Sequence, residues 1–105
     1  MSVSETLNLM SNDEDIDLAS RSLKAMSHPL RLKILCTLAD QELSVQEIVD
    51  AVGTSQSNIS QHLAILRDKG IIASRKNANR VFYRVGDARI LKLIDMMRQA
   101  FCPNE

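Results

Sequence analysis

Four uncharged polar residues within one six-residue segment can each donate and accept hydrogen bonds. They are Gln56, Ser57, Ser60 and Gln61. Amide and hydroxyl side chains of this kind pair with base edges in the major groove of DNA and with phosphate oxygens. Arg75, Lys76 and Arg80 follow and suit phosphate neutralisation. Three such contacts in each subunit of a dimer predict a log-log salt slope of DNA binding of roughly −5.

The neighbouring residues extend this predicted DNA-binding set and leave alternatives open. Ser55 and Asn58 lie in the first segment, and Asn79 lies among the basic residues. His62 is interpreted either as a residue packed at the margin of the core or as a phosphate contact. A polar face and a basic block also occur on surfaces that are only solvated, so the pattern around them has to decide.

The formal net charge of 0 conceals an uneven distribution. Residues 1–20 contain five acids and no base, so the other 85 residues carry a net charge of +5. Most of this excess falls within residues 54–84, where six bases accompany one acid, Asp68. This asymmetry favours a partner that is negatively charged.

Apolar spacing and capping signals place the first helices. Helices are predicted over about 14–26 and 29–38, the second beginning at a proline, which suits a first helical turn. Ser44 and Glu47 have the spacing of a capping box, so a third helix should begin at Val45. Gly53 should end this helix, because glycine adopts a left-handed backbone at low cost.

A fourth helix should follow after a short turn. Thr54 or Ser55 can cap it, and we expect it to reach about Lys69 and to be closed by Gly70. Its core-facing positions are Ile59, Leu63 and Leu66. Two helices joined by a glycine-centred turn form a helix-turn-helix unit, with the polar residues of the second helix facing solvent.

The remaining elements complete a known order. Residues 71–76 and 80–85 are strand-like, and the intervening Asn77-Ala78-Asn79 suits a turn because asparagine tolerates a left-handed backbone. Asp87 should cap a last helix that reaches about Phe101. The predicted fold is therefore mainly α with a β-hairpin wing: a winged helix-turn-helix, in which the fourth helix enters the major groove and the wing lies on the adjacent backbone.

Composition and length limit the possible classes of protein. With 105 residues, 45% hydrophobic and 25% charged, we expect one domain over residues 13–105, preceded by a flexible acidic and polar segment, 1–12. We expect no membrane partner and a cytoplasmic location, because no apolar run approaches the length of a bilayer span and residues 1–10 lack the features of a secretory signal. Paired carboxylates, a nucleotide-binding glycine loop and a Cys-His nucleophile pattern are missing, so neither an enzyme nor a cofactor is predicted.

Two stretches of the sequence resemble the ArsR/SmtB family of winged-helix repressors. One is the run from Leu43 to Ile48 continued by Ser55 to Leu66, and the other is Ser27 to Leu35. The resemblance covers about residues 20–102. It implies a homodimer formed by the first and last helices, with two recognition helices addressing an inverted-repeat operator in duplex DNA.

Many members of that family sense metals, but the corresponding positions differ in this chain. The Cys-x-Cys pair of the third helix would fall near residues 44–46, which contain no cysteine, and residues 87–105 contain no histidine. Asp87 and Asp95 alone suit Zn²⁺ poorly, because this ion prefers thiolate and imidazole ligands. No metal site is predicted.

The two cysteines suggest a different signal. Cys36 and Cys102 occupy the second and last helices, which is similar to the thiol-sensing HlyU/SqrR/BigR-like subgroup. This resemblance implies that a reactive sulfur species or an oxidant is the inducer and that the pair is joined by a disulfide or a longer sulfur bridge. Two alternatives stay open: a regulator whose cysteines only pack in the core, and a winged-helix protein-interaction module that does not bind DNA.

Overall fold

The computed structural model describes residues 12–102. Within that range, five helices and three strands follow one another along the chain. They are α1 (Asp13–Met26), α2 (Pro29–Leu38), β1 (Leu43–Ser44), α3 (Val45–Val52), α4 (Gln56–Asp68), β2 (Ile72–Asn77), β3 (Arg80–Val85) and α5 (Ala88–Phe101). This is the winged helix-turn-helix that the sequence predicts, with one strand more than expected.

The capping signals that set α3 and its neighbours are confirmed. The Ser44 hydroxyl accepts a hydrogen bond from the Glu47 backbone N–H at 3.2 Å, and the Glu47 carboxylate accepts one from the Ser44 N–H at 2.9 Å. Gly53 ends α3 with a φ of 85°. Gly70 follows α4 with a φ of 73°. The helix-turn-helix unit is thus delimited by local hydrogen bonds and by two left-handed glycines.

The additional strand, β1, joins the wing to the helical part of the molecule. The sheet is antiparallel with the order β1-β3-β2. Leu43 pairs with Tyr83, and Ser44 pairs with Phe82. Two residues are too few to show an alternating pattern, so the sequence predicted only the two-stranded hairpin here.

The turn of the wing differs from the prediction in one detail. The hairpin closes with Asn77 opposite Arg80, which leaves Ala78 and Asn79 as the loop residues. The left-handed residue is Ala78, with a φ of 57°, and neither asparagine has a positive φ. The prediction that asparagine supplies the left-handed backbone at this turn is therefore wrong.

The core lies between the helices and the inner end of the wing. Its fully buried large side chains are Ile34, Leu35, Leu38, Ile48, Ile59, Leu63, Leu66, Ile71 and Ile94. Three of them belong to α4, at the positions that the sequence predicts. Because these three anchor one side of α4 in the core, the opposite side of the helix is turned outward.

Large apolar side chains are also exposed, and within residues 12–102 they lie only on α1 and α5. They are Ile16, Leu18, Leu23, Leu93, Met96 and Phe101. Met96 is 66% exposed and Phe101 is 82% exposed. The two helices therefore present apolar surface that this chain does not cover by itself.

Some predictions fall on residues outside the described range. Most of the predicted flexible segment, residues 1–11, lies there, as do residues 103–105 at the end of the predicted domain. Among the described residues, no helix combines the length and apolarity required to cross a bilayer.

Candidate nucleic-acid interface

The beginning of α4 is held by residues that the sequence assigned to DNA binding. The Ser55 hydroxyl accepts a hydrogen bond from the Asn58 backbone N–H at 3.1 Å and so caps the helix. The Asn58 side-chain amide donates to the Thr54 hydroxyl at 3.2 Å. Both polar side chains are thus engaged within the turn, and their role in the free protein is to fix where α4 begins.

The outer face of α4 carries the four uncharged polar residues that the sequence predicts to contact DNA. Gln56, Ser57, Ser60 and Gln61 are all exposed. Within the described part of the chain, no hydrogen bond engages their side chains. Their amide and hydroxyl groups are therefore available to another molecule, as the sequence predicts. We call these four residues the polar face of α4.

His62 lies on the flank of α4 and turns toward α2. The Arg31 guanidinium approaches its Nδ1 at 3.2 Å, and its ring lies 4.7 Å from the His28 ring, centroid to centroid. Because a guanidinium can only donate, Nδ1 of His62 acts as the acceptor. Burial lowers the pKa of His62, and the nearby His28 and Arg31 lower it further. His62 is a half-buried packing residue in the free protein.

The four wing residues that the sequence predicts to contact DNA fall into two groups. Lys76 and Asn79 are exposed, and no described residue pairs with their side chains. Arg75 instead forms a salt bridge with Glu42, with Nη2 2.6 Å from Oε1. Arg80 donates to the Ser44 hydroxyl at 3.2 Å. The structure therefore leaves the end of the wing free for phosphate, whereas the two predicted arginine contacts are already engaged within the chain.

Sequence reasoning did not identify Glu42. This half-buried residue lies in the connection between α2 and β1, and its partner Arg75 is 33 positions away along the chain. The hydrogen bond from Arg75 lowers the pKa of Glu42, and the positive charges of Arg75 and Arg84 act in the same direction. An acid this far from the basic block gave no local signal of the pairing.

The two cysteines differ in exposure. Cys36 is half-buried and packs against the core, whereas Cys102 is exposed at the end of α5. The helices that carry them, α2 and α5, contact each other. Lys33, one turn before Cys36, directs its ammonium group to the Val52 carbonyl oxygen at 3.0 Å. Lys33 therefore stabilises the end of α3.

A metal site requires several ligands close together. Among residues 12–102, no group of three or more His, Cys, Asp or Glu side chains has an arrangement that could hold a metal ion. The rings of His28 and His62 lie close together, but the Arg31 guanidinium beside His62 disfavours a cation there. The polar face of α4 and the wing remain the candidate site.

A comparison with protein families matches residues 28–74 to the family described as bacterial regulatory protein, arsR family. Among curated proteins, the biofilm growth-associated repressor of Xylella fastidiosa is 40% identical over 83 residues, which span 79% of this chain and 73% of that protein. The transcriptional activator HlyU of Vibrio cholerae is 40% identical over 96 residues, spanning 91% and 89% of the two chains.

Solved structures have the same fold. HlyU from Vibrio cholerae superimposes with a TM-score of 0.83 at 40% identity, covering 87% of this chain and 99% of the other. A second structure of that protein, described as reduced HlyU, has a TM-score of 0.80 at 40% identity and covers 86% and 95%. The likeness extends across the helices and the wing.

Proposed function

Because the chain belongs to the arsR family of bacterial regulatory proteins, we propose that it regulates transcription as a homodimer that binds an inverted repeat in duplex DNA. The observation that carries this proposal is the polar face of α4, whose side chains are exposed and form no hydrogen bonds with other described residues. Side chains of this type at the start of a recognition helix read base edges in the major groove. Lys76 and Asn79 of the wing are the proposed backbone contacts.

The DNA-binding proposal is tested by selecting duplexes from a random-sequence pool with the purified protein. We expect an inverted repeat whose half-sites lie about one helical turn apart, with affinity that falls steeply as salt increases. Binding that shows neither sequence preference nor salt dependence would contradict the proposal. That result would favour the protein-interaction module that the sequence left open.

The apolar faces of α1 and α5 support the homodimer. Exposed apolar patches of this kind mark surfaces that are covered in an assembly. A twofold dimer through these helices brings two copies of α4 to one side, as an inverted repeat requires.

Met96→Glu places a charge in the proposed interface, and Gln41→Glu, outside both helices, is the control. Sedimentation velocity should show a dimer for the control and a monomer for Met96→Glu; dimers of equal stability would contradict the interface.

We further propose that Cys36 and Cys102 control DNA binding. Exposure governs access to a thiol, so Cys102 reacts first and Cys36 resolves the product. The Cys102 thiolate attacks a persulfide or polysulfide, forms a mixed sulfur-sulfur bond and releases a thiolate or sulfide. The Cys36 thiolate then attacks this mixed adduct, releases the remaining thiolate or sulfide and closes a bridge. Together, the two thiols lose two electrons to the sulfur species. With peroxide, the first product is a sulfenic acid and the leaving group is hydroxide.

A bridge between α2 and α5 would join the core of the helix-turn-helix unit to the dimer interface. Any change in the spacing of the two copies of α4 then weakens operator binding, with a coupling of about 1–3 kcal/mol.

Intact mass and operator affinity of the same samples test the thiol proposal. After polysulfide treatment, we expect a bridge in the wild type, an unresolved adduct on Cys102 in Cys36→Ser, and no response in Cys102→Ser. Peroxide treatment separates the two kinds of inducer. A direct disulfide after peroxide would indicate a general oxidant, whereas no bridge after peroxide would indicate a reactive sulfur species. Equal operator affinity of the reduced and the bridged wild type at one salt concentration would contradict the switch, leaving a regulator whose cysteines only pack.

A further inference from the structure

Glu42 and Arg75 form a two-point contact between the α2-to-β1 connection and the wing. Nε of Arg75 lies 2.9 Å from both carboxylate oxygens of Glu42, and Nη2 lies 2.6 Å from Oε1. The Glu42 side chain is 26% exposed. Arginine-carboxylate pairs with two contacts restrict orientation as well as distance, because both groups are planar.

A second attachment lies beside the first. Arg80 donates to the hydroxyl of Ser44, the residue that caps α3. The guanidinium groups of Arg75 and Arg80 lie 5.1 Å and 5.3 Å from the centroid of the Phe82 ring. Each arginine is thus held by an oxygen of residues 42–44 and by an aromatic ring, and such cation-π contacts add to the attraction.

These contacts connect the wing to the helix-turn-helix unit. A two-stranded hairpin is only marginally stable by itself, and the wing gains only two residue pairs from β1. Residues 42–44 continue directly into α3, which packs on α4. An anchor at Glu42 and Ser44 therefore sets the angle between the wing and α4.

We propose that Glu42 is a positioning residue that holds the wing, through Arg75, in its DNA-binding orientation, so that Arg75 serves the wing and not the DNA phosphates. The proposal rests on the proposed DNA-binding function. It replaces the predicted role of Arg75 as a phosphate contact, because a guanidinium held by a carboxylate at these distances has its charge largely compensated. A wing already oriented in the free protein lowers the ordering cost of binding.

The salt dependence of binding distinguishes positioning from phosphate contact. The probe is a duplex selected from a random-sequence pool by the wild-type protein. A residue that neutralises one phosphate per subunit changes the log-log slope by about 2 in the dimer when it is removed, whereas a positioning residue lowers the affinity at all salt concentrations and leaves the slope unchanged.

We expect Glu42→Gln and Arg75→Gln each to weaken binding by about tenfold with an unchanged slope. The double variant should bind no more weakly than Glu42→Gln alone, because that change already breaks the Arg75 contact together with the longer pairing of Glu42 with Arg84 at 3.9 Å. Lys76→Gln should reduce the slope by about 2. Asp50→Asn is the matched control: it removes an exposed acid of α3 that pairs with Gln46, and we expect wild-type binding.

Two results of the DNA-binding measurements would overturn the proposal. One is tighter binding by Glu42→Gln, since Glu42 would then only compete with phosphate for Arg75. The other is a slope reduced by about 2 in Arg75→Gln. Hydrogen exchange of the wing amides in the free protein gives a second measurement that needs no DNA. Exchange should accelerate in Glu42→Gln and Arg75→Gln but not in Asp50→Asn, and equal exchange in all three variants would contradict positioning. Failure of the wild type to bind any duplex would instead contradict the proposed function.

Discussion

The polar face of α4 and the wing are both exposed and polar, but they hold their side chains in different ways. The side chains of the polar face form no hydrogen bonds with other described residues. In the wing, Arg75 and Arg80 are engaged by Glu42 and Ser44, and Lys76 and Asn79 remain available. Exposure and residue type therefore do not by themselves identify a contact residue. The internal partners of each side chain have to be known as well.

The largest expected effect lies on the polar face of α4. Gln61→Ala removes an amide that can pair with a base edge, and a good two-point contact of this kind contributes about 1–3 kcal/mol. We expect operator affinity to fall at least about tenfold, with an unchanged salt slope because no charge is lost. Quantitative DNA binding at several salt concentrations checks this. Gln41→Ala, at an exposed glutamine outside α4, is the control, and an equal loss in both variants would contradict the assignment.

Ser55 and Ser57, at the beginning of α4, are expected to have different roles, one in stability and the other in DNA binding. Ser55→Ala removes the cap and should lower the free energy of unfolding by about 1 kcal/mol, with little change in operator affinity. Ser57→Ala, two residues further, lacks a capping role and should show the reverse. Denaturant unfolding and DNA binding of both variants test this. If Ser55→Ala weakens DNA binding and leaves stability unchanged, Ser55 is a contact residue, as the sequence predicts.

The smallest effect concerns the flank of α4. Because the pKa of His62 is lowered in the folded state, the unfolded chain takes up the proton more readily. Stability is therefore unaffected well above the ordinary pKa of 6.5 and falls as the pH drops from there toward the lower pKa of the folded state. His62→Gln keeps an acceptor for Arg31 and should lose this part of the pH dependence.

Melting temperatures at about pH 8 and about pH 5.5 measure the His62 effect. The wild type should lose more stability than His62→Gln on acidification, and the two should agree more closely at the higher pH. An equal loss of stability in both proteins would show that protonation of His62 does not cause the pH dependence. The Arg31 contact would then be unimportant for the acid side of the stability curve.

The fold was predictable because most of its signals are local. The capping box of Ser44 and Glu47, the glycines that end α3 and α4 and the spacing of Ile59, Leu63 and Leu66 each lie within one helix or turn. The polar face of α4 followed from the same spacing. Local signals were thus sufficient to place α4 and to identify which side of it is exposed.

What the sequence did not reveal depends on contacts between distant segments. The pairing of Arg75 with Glu42 and that of Arg80 with Ser44 join residues 33 and 36 positions apart. Strand β1 has two residues and becomes visible only through its pairing with β3. The sequence alone is compatible with His62 as a packed residue or as a phosphate contact, because the residues around it come from the distant α2 and its N-terminal cap. In each case, the deciding information lies in tertiary structure.

In the strand order β1-β3-β2, no strand from residues 12–102 pairs with either edge of the sheet. One edge belongs to β1, which is only two residues long, and the other belongs to β2, which carries Arg75 and Lys76. Open edges can recruit strands from other molecules, and short or charged edge strands discourage such pairing. The shortness of β1 and the charged residues of β2, Arg75 and Lys76, thus have a second consequence: they disfavour polymerisation of the protein through its sheet.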